Sequence, residues 1–339
     1  MQFVSTMSLG ALLVVAGGSL ALGACGDDET PGTGDGSSTA AMDDSTSTPM
    51  TMTTMGSVDT TQGTGTVGPT TDPTTSVDTT MGETSADTDP PPVALQAYRF
   101  TSMYVRDPHF FVLGLGVLCI DVTDDVPTGD PSINEQFNTA IESDDPMDPD
   151  GNLDLNLMLL FRPLDQSDGA SADMEFANGV CTVPPIECDL QAGTNPFPTG
   201  YLVMQAGTCL EPDPAHLSSE GYNPPPGTTT GPCFVSEATD VEIVTGDFTL
   251  PLADAIISAQ LSGDPADDLV EGTLRGFLST ADAENIQLPP DIQMQTGAST
   301  ISELLPGGNG NCAGHDDTDG DGWWFYVDFT ATRALWVGA

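Results

Sequence analysis

Between Gly26 and Pro92 the chain has no aromatic residue, no lysine and no arginine, yet it holds 27 Ser or Thr and 12 Asp or Glu. Ordering a residue costs roughly 1–2 kcal/mol of backbone entropy, and a stretch so poor in apolar side chains cannot recover that by burial. The segment is therefore expected to stay disordered. Everything a folded core needs lies beyond it: all aromatic residues except Phe3, the five arginines (Arg99, Arg106, Arg162, Arg275, Arg333) and six of the seven cysteines. Residues 93–339 form the expected folding unit, long enough for one large domain. As a flexible coil, the Thr/Ser/Asp-rich tether has a reach of roughly 45 Å.

Charge removes whole classes of function. The formal net charge is −46, and after the tether 39 acids face five arginines. Nucleic acids and anionic lipid surfaces would be repelled, so cations and basic or neutral surfaces are the compatible partners. There is no lysine in the chain, which excludes Schiff-base chemistry and lysine-assisted phosphate binding.

The start of the chain has an apolar run from Leu9 to Ala24, too short to span a bilayer comfortably, that ends Leu22-Gly23-Ala24-Cys25. This resembles the lipobox signal of bacterial lipoproteins, although residues 1–8 lack the usual Lys or Arg. The resemblance implies that residues 1–24 are a signal peptide and that Cys25 carries acyl chains such as palmitate as a membrane anchor. It also implies a lipid-anchored place in the cell envelope. Gly26 after the cysteine favours the outer membrane over the inner one.

From Val93 onward short apolar runs alternate with Pro, Gly and Asp clusters. Strands are expected at 96–105, 110–122, 153–161, 173–176, 201–205, 233–236, 240–244, 247–250, 256–261, 272–278 and 323–330. Helix signals are fewer. Asp130-Pro131 reads as an N-cap before a stripe of Ile133, Phe137 and Ile141, and Thr300 with Glu303 has capping-box spacing before Pro306-Gly307-Gly308. The pattern predicts a mainly β fold, an antiparallel sandwich or barrel with one or two short peripheral helices. Long loops are expected at 182–199 and 210–232.

An exported chain with six cysteines beyond the anchor reads as a disulfide framework. Proximity favours Cys181–Cys188 and Cys209–Cys233, which leaves Cys119–Cys312 by elimination. The alternative is a thiolate metal site at Cys312-Ala-Gly-His315, but one such pair without a second is a weak signal.

The most specific chemical pattern is His315-Asp-Asp-Thr-Asp-Gly-Asp-Gly322. Asp317, Asp319 and Asp321 before Gly322 reproduce the alternate carboxylates and turn glycine of a calcium loop, and the segment resembles the loops of EF-hand-like dockerin modules. Asp328 occupies the twelfth position, where a bidentate acid belongs. In a strand it would lie about 20 Å from Gly322, so it is expected to face solvent instead. Asp148, Asp150 and Asp154 form a partial second copy beside Asp144 and Asp145, with Pro146 where the first ligand should stand. Structural Ca2+ is the cofactor both loops imply.

No G-x-S-x-G elbow, H-E-x-x-H or phosphate loop is present. His109 could pair with Asp107 across Pro108, and His315 with Asp316; His216 completes the set. Each reads more readily as a turn or surface residue. The run Trp323-Trp324-Phe325-Tyr326 places rings on both faces of a strand, one in the core and the other covered by a helix or exposed to stack on sugars, with the covered arrangement expected. Leu159–Asp165 and Gly322–Tyr326 resemble stretches of exported bacterial proteins with no assigned activity. The expected function is a non-enzymatic, calcium-stabilised binding or structural domain at the cell surface or in the periplasm, with a glycan or a protein as the ligand if it binds one. The alternative is an exported hydrolase acting on extracellular polymers.

Overall fold

Short apolar runs bounded by turn residues form strands throughout the computed structural model. It describes residues 95–338 except 115–117, 127–128, 130, 148, 220, 246–247, 311 and 313–319, and the side chains of 291 and 295. The expected signal peptide, Cys25 and the tether lie outside these residues. The first half comprises β1 (Gln96–Asp107), β2 (Phe111–Gly114), β3 (Leu118–Asp121), α1 (Ile133–Glu142), β4 (Leu157–Phe161), β5 (Ser171–Cys181), β6 (Glu187–Leu190) and β7 (Phe197–Met204). There follow β8 (Thr208–Leu210), β9 (Thr229–Thr230), β10 (Cys233–Ser236), β11 (Thr239–Val244), β12 (Thr249–Gly263) and β13 (Ala266–Ser279). The chain then forms α2 (Thr280–Asn285), α3 (Pro290–Thr296), a 3₁₀ turn (Ile301–Glu303) and β14 (Gly322–Trp336).

Eight of these strands close a barrel in the order β1-β4-β5-β7-β10-β12-β13-β14, with β14 returning to β1 and every neighbour antiparallel. Barrel order follows chain order, so this is an up-and-down barrel whose connections carry the smaller elements. The expected antiparallel class therefore holds, in its closed form. The described part of the expected strand at 247–250 and the expected strand at 256–261 belong to one strand: β12, which begins at Thr249, runs on between them through a bulge, with Asp254 at φ 50°.

An eight-stranded barrel is just wide enough to be filled by side chains or to hold one small ligand. Here rings fill it. Phe161 meets Tyr98, Tyr201 and Phe234 edge-on, with centroids 5.7, 5.2 and 5.1 Å away. A second layer stacks Phe100 on Phe329 at 4.1 Å, with Phe176 edge-on to Phe100 at 6.4 Å. Such pairs add about 0.5–1.5 kcal/mol each beyond the area they bury. The two tyrosine hydroxyls are satisfied: Tyr98 donates to the Ala266 carbonyl and Tyr201 to the Pro163 carbonyl.

The helices pack where β14 begins. Trp323 Nε1 donates to the Pro306 carbonyl at 2.7 Å, and Phe325 lies 6.2 Å from Phe110. Helix α1 starts two residues later than the sequence suggested. Its cap is Ser132, whose Oγ accepts the Glu135 amide, rather than Asp130, which lies outside the described residues. Ile133, Phe137 and Ile141 do share its inner face. Four residues apart, Asn134 and Asn138 exchange hydrogen bonds with the backbone of Val105 and Met103, at 2.8–3.0 Å. These amides continue the β1 edge where pairing with β4, which covers only 96–99, has stopped. Arg99, buried beneath α1, donates from Nη1 to the Ile141 carbonyl near the helix C-terminus, where a cation is favoured. Its burial holds the guanidinium below its ordinary pKa, against the pull of Glu142.

The three disulfides join Cys119–Cys312, Cys181–Cys188 and Cys209–Cys233, with Cα separations of 5.6, 4.1 and 6.3 Å. This is the pairing expected from proximity and elimination. Cys181 and Cys188 belong to a second small core outside the barrel, with Ala97, Leu153, Met158, Leu160 and Ala177.

Candidate functional site

The barrel's outer wall over β1, β14 and β13 is the chemically densest surface, and the 210–232 loop explains why. Closed at its base by Cys209–Cys233, this strap runs along the wall and back. The Asp213 amide donates to the Tyr326 hydroxyl, His216 stacks on Trp324 at 4.6 Å, and the Ser218 amide donates to Asp107 Oδ2. Tyr222 stacks on His109 at 3.7 Å and 5°. On the return limb, the Gly227 amide donates to Asp328 Oδ1, and Thr229 Oγ1 to the Glu271 carbonyl. The outer rings of the Trp-Trp-Phe-Tyr run are thus covered as expected, but by this strap and not by a helix. Arg275 also lies over Trp324, 5.2 Å from the ring centre.

His109 does find carboxylates, though not Asp107, which caps the strap at Ser218. Its Nδ1 lies 2.6 Å from Asp121 Oδ2, and its Nε2 lies 3.8 Å from Asp124 Oδ2. Burial pushes the Asp121 carboxyl up, but the hydrogen bonds from His109 and Thr123 outweigh it and leave the group below its ordinary value. His109 is 4% exposed, with its ring face under Tyr222, and no described Ser, Thr or Cys side chain hydrogen-bonds to it. Asp124 is further held by Asn134 at 2.8 Å and approached by Arg106 at 3.8 Å. The arrangement pins the tip of the strap. His216 faces Asp213 at 3.7 Å, while His315 lies outside the described residues.

Beside the returning limb the wall opens into a cleft of about 440 Å³. Its floor alternates polar side chains outward from strands whose other face is core: Ser102 and Tyr104 from β1, Asp328 and Thr330 from β14. Thr330 Oγ1 shares short hydrogen bonds with Thr101 and Ser102. Asp328 accepts from Arg106 Nε at 3.0 Å and is thereby committed to the strand wall. Arg106 also lies 4.9 Å from the centre of the Tyr104 ring, which stays 38% exposed. Glu271 sits at φ 46° in the cleft lining, a conformation that costs a non-glycine residue about 1–3 kcal/mol. The next residue must be glycine, because a Cβ on Gly272 would stand 2.6 Å from the Phe329 ring.

A second cavity, of about 110 Å³, lies among α1, α3 and the 3₁₀ turn. Phe110, Phe137 and Phe248 line it with aliphatic side chains from all three elements, and its polar lining residues are Gln136, Asp154 and Thr245. The Gln136 amide donates to the Pro131 carbonyl, and Thr245 Oγ1 is bound to Phe248 on both sides. Asp154 accepts the Asp145 amide on Oδ1 at 3.3 Å, and no described residue donates to its Oδ2. Burial first, then the charges of Asp145, Asp144 and Asp150, hold its carboxyl above the ordinary value.

The two predicted calcium loops fare differently. Asp317 and Asp319 lie outside the described residues, and Asp321 is exposed, its carbonyl accepting from Thr280. In the second loop Asp148 also lies outside. Asp144 there accepts the amides of Asp150 and Gly151, and Asp150 accepts that of Asn152, so these carboxylates close the loop's own turns. Among the described residues no three acidic, histidine or cysteine side chains converge as a metal site.

Sequence reasoning missed Asp121, Asp124, Tyr222, Tyr104 and Glu271. The odd placement of Glu271 before a glycine inside an apolar strand pattern was the one local signal available. No protein-family model matches this chain, and neither the curated proteins nor the solved structures contain a significant likeness to it.

Proposed function

We propose that the domain is a non-enzymatic binding module, held at the cell envelope through lipidated Cys25 on the 26–92 tether, with the outer-wall cleft as its glycan-binding surface. The observation that carries this reading is the cleft's chemistry. Hydroxyls of Ser102, Thr228 and Thr330, the carboxylate of Glu271 and a half-exposed Tyr104 ring line one opening. Sugars are recognised by that combination, since hydroxyl pairs satisfy polar side chains while a pyranose face packs on an aromatic ring. An uncharged or basic saccharide fits a chain of net charge −46, and an acidic one does not. A calcium ion held by Asp317, Asp319 and Asp321 belongs to the same reading as a structural element.

Glycan-array binding followed by titration tests it. Tyr104→Ala is expected to weaken binding by about fivefold or more, the loss of one ring contact. Absence of any glycan ligand for the intact domain would refute the assignment. The hydrolase reading has one observation in its favour, that Glu271 and Asp328 line the same cleft. Release of new reducing ends from a bound glycan, abolished in Glu271→Gln, would establish it in place of simple binding.

A further inference from the structure

The cavity among α1, α3 and the 3₁₀ turn shares no lining residue with the outer-wall cleft, and its character is different. It is a partly open well of about 110 Å³ whose walls are almost wholly apolar. Phe110, Leu155 and Leu304 line it as buried core, while Phe137, Phe248 and Ile292 pack on that core and stay only partly buried. The well does not close by collapse, because its walls are fixed from outside it. Helix α1 is held to β1 by Asn134 and Asn138. The 3₁₀ turn is held by the Phe111 amide on the Leu304 carbonyl and the Ile301 amide on the Ile286 carbonyl, at 2.8 and 3.1 Å. Water is a poor filling, since a buried water needs two to four polar partners. The polar lining residues are bonded within the fold: Gln136 donates to Pro131, Thr245 Oγ1 is bound to Phe248 on both sides, and Asp154 accepts the Asp145 amide.

We infer that this well is a binding site for a small uncharged hydrocarbon, one aromatic ring in size. An apolar cavity of about 150 Å³ lined by Leu, Ile and Phe stays dry and takes up benzene. At about 110 Å³ this one has room for a single ring. Three phenyl rings in the wall, Phe110, Phe137 and Phe248, favour an aromatic guest through edge-on and offset-stacked contacts. A rigid ring also loses no internal freedom on entry, whereas an alkyl chain of equal area must freeze its rotors. Charge narrows the class further. Asp154 belongs to the lining, and Asp144, Asp145 and Asp150 close the loop beside it. A guest with a carboxylate would bring another negative charge to that end, and no described lining residue is basic.

Calorimetric titration of the whole chain in a sealed cell tests this, with benzene, n-pentanol and benzoate as probes. Benzene is expected to saturate one site, about fivefold tighter than n-pentanol and at least about tenfold tighter than benzoate. Ala140→Leu fills the space from α1 without changing charge and should weaken benzene by about tenfold or more. If it does not fold, Ile292→Phe does the same from α3. Sedimentation of the same samples shows whether a side chain of a second copy fills the well instead. The inference falls on any of four results. No saturable benzene binding would remove the site, and benzene binding unchanged in the filled variant would place it elsewhere on the chain. Pentanol or benzoate binding as tightly as benzene would make the guest a chain or an acid. A dimer that Ala140→Leu dissociates would give the well to a second copy.

Discussion

The disulfides close loops of very different length, so their removal should cost different amounts in a predictable order. Partners are 193, 24 and 7 residues apart for Cys119–Cys312, Cys209–Cys233 and Cys181–Cys188. If a cross-link acts by restricting the unfolded chain, loop-closure entropy gives about 5, 3.5 and 2.5 kcal/mol respectively. Replacing each pair by alanine also removes buried sulfur, worth about 1 kcal/mol per fully buried thiol on the scale of a methylene. Cys181 and Cys188 are both fully buried, whereas the other bridges have one such partner each, Cys233 and Cys312. The totals become about 6 kcal/mol for the longest loop and about 4.5 kcal/mol for each of the other two. Urea unfolding of the three alanine pairs under non-reducing conditions measures these differences. A Cys119→Ala/Cys312→Ala chain no less stable than the Cys181→Ala/Cys188→Ala chain would refute the unfolded-state argument, and the bridges would then act through native packing alone.

Acid should act through the His109 latch. The Asp121 carboxyl is depressed in the fold, so its contribution is present above the unfolded value of about 3.9 and is lost as pH falls through its lower native value. In urea melts the stability gap between the wild type and His109→Gln should therefore narrow from about pH 5 towards pH 2; a constant gap would mean that the pair carries no such linkage. Millimolar calcium is expected to raise the melting temperature relative to chelator, and Asp317→Asn with Asp319→Asn to remove the shift. Identical melting with and without calcium would take the ion out of the proposed function.

Much of the fold was legible because its signals are local. Turn residues bracket the strands, Ile133, Phe137 and Ile141 mark one helix face, and cysteine spacing suggests the staples. Barrel closure was not legible, because it depends on pairing Ala97 with Ala334, residues at opposite ends of the domain. Nor were α2 and α3, each of seven residues or fewer and held by packing on the barrel end. The site was read less well than the fold. His109 was found, but its partners Asp121 and Asp124 come from the far side of a hairpin, and choosing them from 39 acids needs coordinates. The aromatic run was read as two-faced, which is right. Its cover came from a loop that has almost no apolar pattern to announce it.

The amide pair on α1 has a bearing on how such a domain survives in company. A strand edge with free N–H and C=O groups is a template to which any neighbouring chain can add, and under the proposed lipid anchoring many copies would meet at high local concentration. Asn134 and Asn138 occupy that template over Met103 and Val105 with groups that imitate a strand but cannot propagate one. Two side chains thus let a helix end a sheet, and the domain can be crowded without being recruited into its neighbours.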